Sequence, residues 1–239
     1  MPRIQLSTVL VAVPLLLAAA VALAADSGTP EFTDTLEQRL LACAGCHGKH
    51  GEGSRQSEYY PRIAGKPIEY LYRQLVNFRD GRRAYPQMVY FVRHLSDEYL
   101  REMATYYSKL QPPFPTPIQP SATKEALARG EALVRTGDAA KGIPACAACH
   151  GKALTGMQPG IPGLIGLYPD YINAQIGAWR SGVRHAAEPD CMAKIAAKVS
   201  GADSVAVAAY LAYQPGTPAT LPAPESRQKL PIPCGSQPQ

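Results

Sequence analysis

Two five-residue stretches decide the fold of this chain: Cys43-Ala44-Gly45-Cys46-His47 and Cys146-Ala147-Ala148-Cys149-His150. Both read C-x-x-C-H. Cysteines three positions apart share one face of a helical turn. There they can form thioethers with the two vinyl groups along one edge of a porphyrin, and the next residue, His, then sits under the iron. A disulfide pair, a zinc knuckle or a thioredoxin-like redox pair is the competing reading. A redox pair does not require the trailing His, and a zinc site needs a fourth ligand beside each motif. The whole chain has six Cys and five His, too few to expect two chance matches. The expected cofactors are therefore two haem c groups. Cys43 and Cys46 hold one, Cys146 and Cys149 the other, with His47 and His150 as iron ligands.

The sequence downstream of each motif also repeats. Pro61-Arg62-Ile63-Ala64-Gly65 answers to Pro162-Gly163-Leu164-Ile165-Gly166, and Tyr70-Leu71 with Gln74-Leu75 to Tyr171-Ile172 with Gln175-Ile176. Phe78-Arg79-x-Gly81-x-Arg83 matches Trp179-Arg180-x-Gly182-x-Arg184, Met88 matches Met192, and Leu95-Ser96 matches Val199-Ser200. Two copies of one haem domain is the economical reading: residues 25–110 and 121–213. Between them, residues 111–120 carry five prolines, which excludes helix interior and gives an extended, semi-rigid linker. Residues 214–239 are Pro-rich again, lack helical periodicity and read as an extended tail on the second domain.

The expected class is all-α, with about three main helices per domain. In the first, Leu36, Leu40 and Leu41 lead into Cys43. Pro67 suits a first helical position, with Leu71, Leu75 and Phe78 on one face and a stop at Gly81. Ser96, followed by Asp97 and Glu98, starts a helix with Leu100, Met103, Ala104 and Tyr107 inward. The second domain predicts helices over about 124–135, 170–180 and 202–213.

An electron-transfer haem has both axial positions filled. Met88 lies 41 residues after His47 and Met192 42 after His150, each seven before the Leu-Ser or Val-Ser pair that opens the last helix. His94 and His185 are not equivalent in the repeat, His50 and Met157 stand too near their motifs, and Met103 sits at core spacing. The repeat thus points to Met88 and Met192 as the sixth ligands. Four of six cysteines are used by haem. The remaining Cys191 and Cys234 are expected to pair, the alternatives being two free thiols or Cys191 as a redox-switched ligand replacing Met192. Arg79, Arg83, Arg180 and Arg184 recur at equal positions, where they serve haem propionates or the domain interface, or are simply solvated.

In this order and number, the motifs resemble the class I cytochrome c family, specifically its two-domain dihaem members of the cytochrome c4 type, over about residues 33–213. The resemblance implies that Pro61 and Pro162 each offer a carbonyl to the proximal His, and that the two haems face each other across the domain contact.

Residues 1–24 read as a cleaved signal peptide: Arg3, an apolar run from Val9 to Leu23, and Ala22-Leu23-Ala24 before Ala25. Export places the chain in the periplasm, and no other segment is apolar enough to span a bilayer. The formal charge of +5 comes without a basic run or face, so nucleic acid is not an expected partner. The expected function is a non-enzymatic electron carrier with redox-protein partners. A quinol-oxidising complex or dehydrogenase would be the donor and a terminal oxidase the acceptor, with no stable small-molecule substrate. The same sequence also fits the cytochrome subunit of a dehydrogenase. A peroxidase, a thiosulfate-oxidising enzyme or a gas sensor needs an open or Cys-ligated iron, against which the paired methionines argue.

Overall fold

The computed structural model describes residues 34–54, 57, 59–117, 119, 121–216, 222 and 230–237. The apolar leader over residues 1–24 lies outside the described residues, as does most of 217–229. The compact unit begins at Leu36.

In its first half, α1 (Leu36–His47) runs unbroken into the first C-x-x-C-H stretch. α2 (Ile68–Arg79) follows a proline that stands one place further out than its preference for the first helical turn predicts. Pro67 is the N-cap, with ψ at 140°. Its carbonyl still accepts from Leu71 N at 3.0 Å, so the entry is satisfied without a side-chain cap. α3 (Pro86–Val92) and α4 (Asp97–Lys109) complete this half, α4 being capped by Ser96, whose side chain accepts from Tyr99 N. Leu40, Leu71, Phe78, Val92, Leu100, Met103, Ala104 and Tyr107 form its core.

The second half repeats the plan with changes. α5 (Lys124–Arg135) is separate from α6 (Cys146–His150), the short helix that carries the second motif. Gly137 breaks the continuity: its φ is +81°, and a Cβ there would lie 2.4 Å from the Ile143 carbonyl oxygen, so no other residue fits the turn. A hairpin of β1 (Gly156–Met157) and β2 (Ile161–Pro162) comes next. It has no counterpart among the described residues of the first half. α7 (Pro169–Arg180), α8 (Cys191–Ala196) and α9 (Gly201–Tyr213) close the half. α5 and α9 cross at Gly130, where a Cβ would come 2.1 Å from the Ala206 oxygen. Leu133, Val134, Ile165, Tyr171, Ile172, Val207 and Leu211 belong to the core this crossing helps to close.

α3 and α8 are the elements that sequence patterning did not anticipate. Each is about two turns or less, too short for a 3.6-residue period to register. Each also carries one of the paired methionines.

The halves meet through a backbone bridge that pairs Arg83 with Arg184 antiparallel. His185 N donates to the Arg82 oxygen at 2.6 Å, and Ala84 N to the Val183 oxygen at 3.3 Å. The proline segment is seated rather than loose. Arg62, 2% exposed, donates to the carbonyls of Pro112 and Pro113 at 2.6 and 2.9 Å and stacks on Phe114 at 4.5 Å. Phe114 in turn packs on the second core. The tail returns at Cys234, which is disulfide-bonded to Cys191 at a Cα separation of 4.8 Å. Gly235 N donates to the Pro189 oxygen at 3.0 Å and the Gly235 oxygen accepts from Arg73 at 3.1 Å. Among the described residues no helix is long and apolar enough to cross a membrane.

Candidate functional site

His47 ends α1 and His150 ends α6, and both are buried. Their Nδ1 atoms lie 2.9 Å from the Pro61 oxygen and 2.8 Å from the Pro162 oxygen. A carbonyl only accepts, so Nδ1 carries the hydrogen and Nε2 keeps a lone pair directed away from it. Burial holds both imidazoles below their ordinary value, hence neutral. A neutral imidazole with one nitrogen anchored and the other free is the form that ligates a metal.

The four motif cysteines are half-buried and not joined to one another. Burial pushes Cys146 up to about 11 and raises Cys43 and Cys149 as well. Thiols so protected are the opposite of an activated redox pair, which needs a lowered value. Among the described residues no three His, Cys, Asp or Glu gather as an ion site.

A cavity of about 660 Å³ opens beside the second motif. Cys146, Cys149 and His150 line it, and so does Met192 from α8. Leu230 and Ile232 of the tail add to its wall. In the first half Met88, on α3, packs against the core that also contacts Cys43. The volume suits a large cofactor. Among the described residues Trp179 Nε1, which lines this cavity, is buried without a protein partner, as expected where a ligand with acceptor groups completes the pocket.

The recurrent arginines divide. Arg83 and Arg184 are buried, at 8% and 4% exposure. Arg83 donates to Gln74 Oε1 at 2.9 Å, Gln175 Oε1 at 2.7 Å and Tyr171 Oη at 3.0 Å. Arg184 donates to Gln175 at 2.7 Å and Gln74 at 2.9 Å, so each guanidinium binds the glutamine of both halves. Burial and the like charge of Arg83 pull Arg184 down to about 10. Two adjacent buried cations held by neutral glutamines and a tyrosine call for an anion. The propionates of haem c supply such anions, so the residues present fit the group.

Arg79 instead sits at the surface, on Asp80, on Asp97 and on the Leu95 carbonyl, where it ties α2 to the start of α4. Arg180 is exposed. The equal spacing of the four in sequence thus does not translate into equal environments. Gln74, Gln175 and Tyr171, with Tyr70, which hydrogen-bonds Arg184, are the participants that sequence reasoning left without a role. Their signal was present in the doubled Tyr-x-x-x-Gln spacing of α2 and α7.

A family model described as cytochrome C oxidase, cbb3-type, subunit III matches residues 32–106. The thiosulfate dehydrogenase electron acceptor of Thiomonas intermedia is 42% identical over 180 residues, covering 74% of this chain and 80% of the relative. Cytochrome c4 of Pseudomonas aeruginosa is 31% identical over 177 residues, covering 73% and 85%. Among solved structures, the thiosulfate dehydrogenase TsdBA of Marichromatium purpuratum, in its as-isolated form, superposes with a TM-score of 0.66 at 34% identity over 72% of this chain. The present chain spans only 36% of that one. Reduced recombinant cytochrome c4 from Pseudomonas stutzeri superposes with a TM-score of 0.65 at 28% identity, over 74% of this chain and 95% of its own.

Proposed function

We propose that this chain, which belongs to the dihaem cytochrome c4 family, is a periplasmic carrier that moves single electrons from a respiratory donor to a terminal oxidase or another acceptor. Its fold is the two-domain class I cytochrome c fold, and its cofactors are two covalently bound haem c groups. The observation that carries the reading is the doubled anchoring of His47 on Pro61 and His150 on Pro162, each half adding one methionine on a short distal helix.

In this reading Cys43, Cys46, Cys146 and Cys149 hold the two groups as thioethers, and residues 25–110 and 121–213 are the two domains, preceded by a removed leader. When bound, haem c supplies a one-electron couple. The chain's residues set its terms. His47 with Met88, and His150 with Met192, would hold the two irons and leave no place for another ligand. The soft thioethers favour the ferrous state and so a high potential. Arg83 and Arg184 would hold propionate anions where the halves meet.

Acid-acetone extraction followed by mass spectrometry tests the assignment. The mature chain is expected to retain two haems; one or none would contradict it. The likeness to an electron acceptor of thiosulfate dehydrogenase favours a second, compatible reading, in which the donor is a dehydrogenase of that class. Rapid-mixing reduction of the carrier by such an enzyme, set against a quinol-oxidising complex, decides between donors by which one reduces it within turnover time.

A further inference from the structure

The two halves differ at one buried position next to the second site. In the repeat, Lys66 follows Gly65 as Leu167 follows Gly166. Both side chains point inward, at 7% and 8% exposure, so the fold demands burial at this place in either half. Leucine satisfies that demand; lysine opposes it, because burying an ammonium is costly unless it is compensated. Lys66 Nζ donates to the Gly163 carbonyl at 2.9 Å. Gly163 directly follows Pro162, the residue that anchors His150. Lys66 also lines the cavity that His150 and Met192 line, although it belongs to the other half of the chain. Among the described residues no carboxylate pairs with it, and Arg62 adds like charge nearby.

On the dihaem carrier reading given above, we propose that Lys66 makes the second site the stronger electron acceptor and so sets the direction of electron transfer between the halves. A cation held in a low-dielectric wall stabilises the state with one more electron, and its effect is large where water does not screen it. The repeat supplies no second lysine: at the equivalent place the other half carries the uncharged Leu167. This is a tuning role and needs no contact between Lys66 and the iron ligands.

The test is a redox titration of the full-length holoprotein, with the two couples assigned through the axial methyl resonances of Met88 and Met192. Burial, reinforced by Arg62, holds Lys66 down to about 7. The titration is therefore run near pH 6, about one unit lower, where the amine is protonated. Lys66→Leu copies the residue that the second half already accommodates, and Lys66→Met keeps the length if leucine impairs assembly. Either is expected to weaken reduction at the Met192 site about tenfold, or about 59 mV for one electron, with less than a third of that change at the Met88 site. Lys66→Arg is expected to restore the wild-type order. An unchanged Met192 couple, or an equal fall in both couples, overturns the proposal and leaves the carrier reading standing, provided both methionine signals persist. Failure of the carrier reading would instead appear in the wild type, as a missing second low-spin couple, and would remove this proposal with it.

Discussion

Met88 and Met192 stand at the same step of the repeat, but their neighbourhoods differ. Met192 lines a large cavity and follows a disulfide cysteine; Met88 packs on the first core from a helix whose Tyr90 and Phe91 are exposed. Replacing either with alanine is expected to open one iron only. That site should then bind CO within mixing time and lose at least tenfold in its reduction equilibrium, the other site keeping its spectrum; an unchanged oxidised spectrum would remove that methionine as a ligand. Asp203 offers a residue-scale test of stability. Its buried carboxylate accepts from Arg129 at 2.7 Å and Lys141 at 2.8 Å, and these bonds hold it well below the usual carboxylate range. A depressed folded value contributes stability above the unfolded value, about pH 3.9, and loses it as the pH falls through the folded one. Asp203→Asn is therefore expected to lower the thermal midpoint at neutral pH, and the two midpoints are expected to converge in strong acid. Parallel curves across the whole range would contradict the linkage.

Among the elements, α8 and the tail act together. Cys191 heads α8, Met192 follows it, and Cys234 closes a loop of 43 positions back onto that helix. In the chain-entropy model a closure of this length contributes about 4 kcal/mol, before any native strain. Cys234→Ser in the holoprotein is expected to lower the denaturant midpoint accordingly and to speed cyanide binding at the second site alone; equal midpoints would place the tail outside the stability of this half. The bridge was readable from sequence by counting cysteines against haem attachments. Helices α2 and α4 were readable from their apolar spacing, α4 also from its Ser96 cap, and α5, α7 and α9 as counterparts of first-half helices in the repeat. α3, α8 and the separation of α6 from α5 were not. They are fixed by a few residues, such as Pro86, Gly137 and Asp190, whose effect depends on where the rest of the chain lies. The same limit applied to Lys66, since nothing local to a lysine in a loop reveals that another half of the molecule will enclose it.

For the molecule as a whole, the repeat announced two like halves but not the faces they turn to each other. The structure joins them by a short antiparallel bridge around two buried arginines that share two glutamines. On the carrier reading, charge at this junction serves the bound propionates, and the shared hydrogen bonds fix the distance an electron must cross. Arg83→Gln or Arg184→Gln keeps donors in place but removes a cation. Each is expected to raise hydrogen exchange at the Ala84 and His185 amides, which cross the junction, by at least tenfold, with little change in the cores. Uniform protection would show that the halves stay joined without the arginines. The proposed ligation gives each of the two irons one histidine and one methionine. The near-infrared absorption of the oxidised holoprotein, quantified per haem, measures this directly. Two methionine-to-iron bands' worth of intensity per chain is the predicted result. Intensity for one iron or none, or a thiolate-type spectrum, would contradict it.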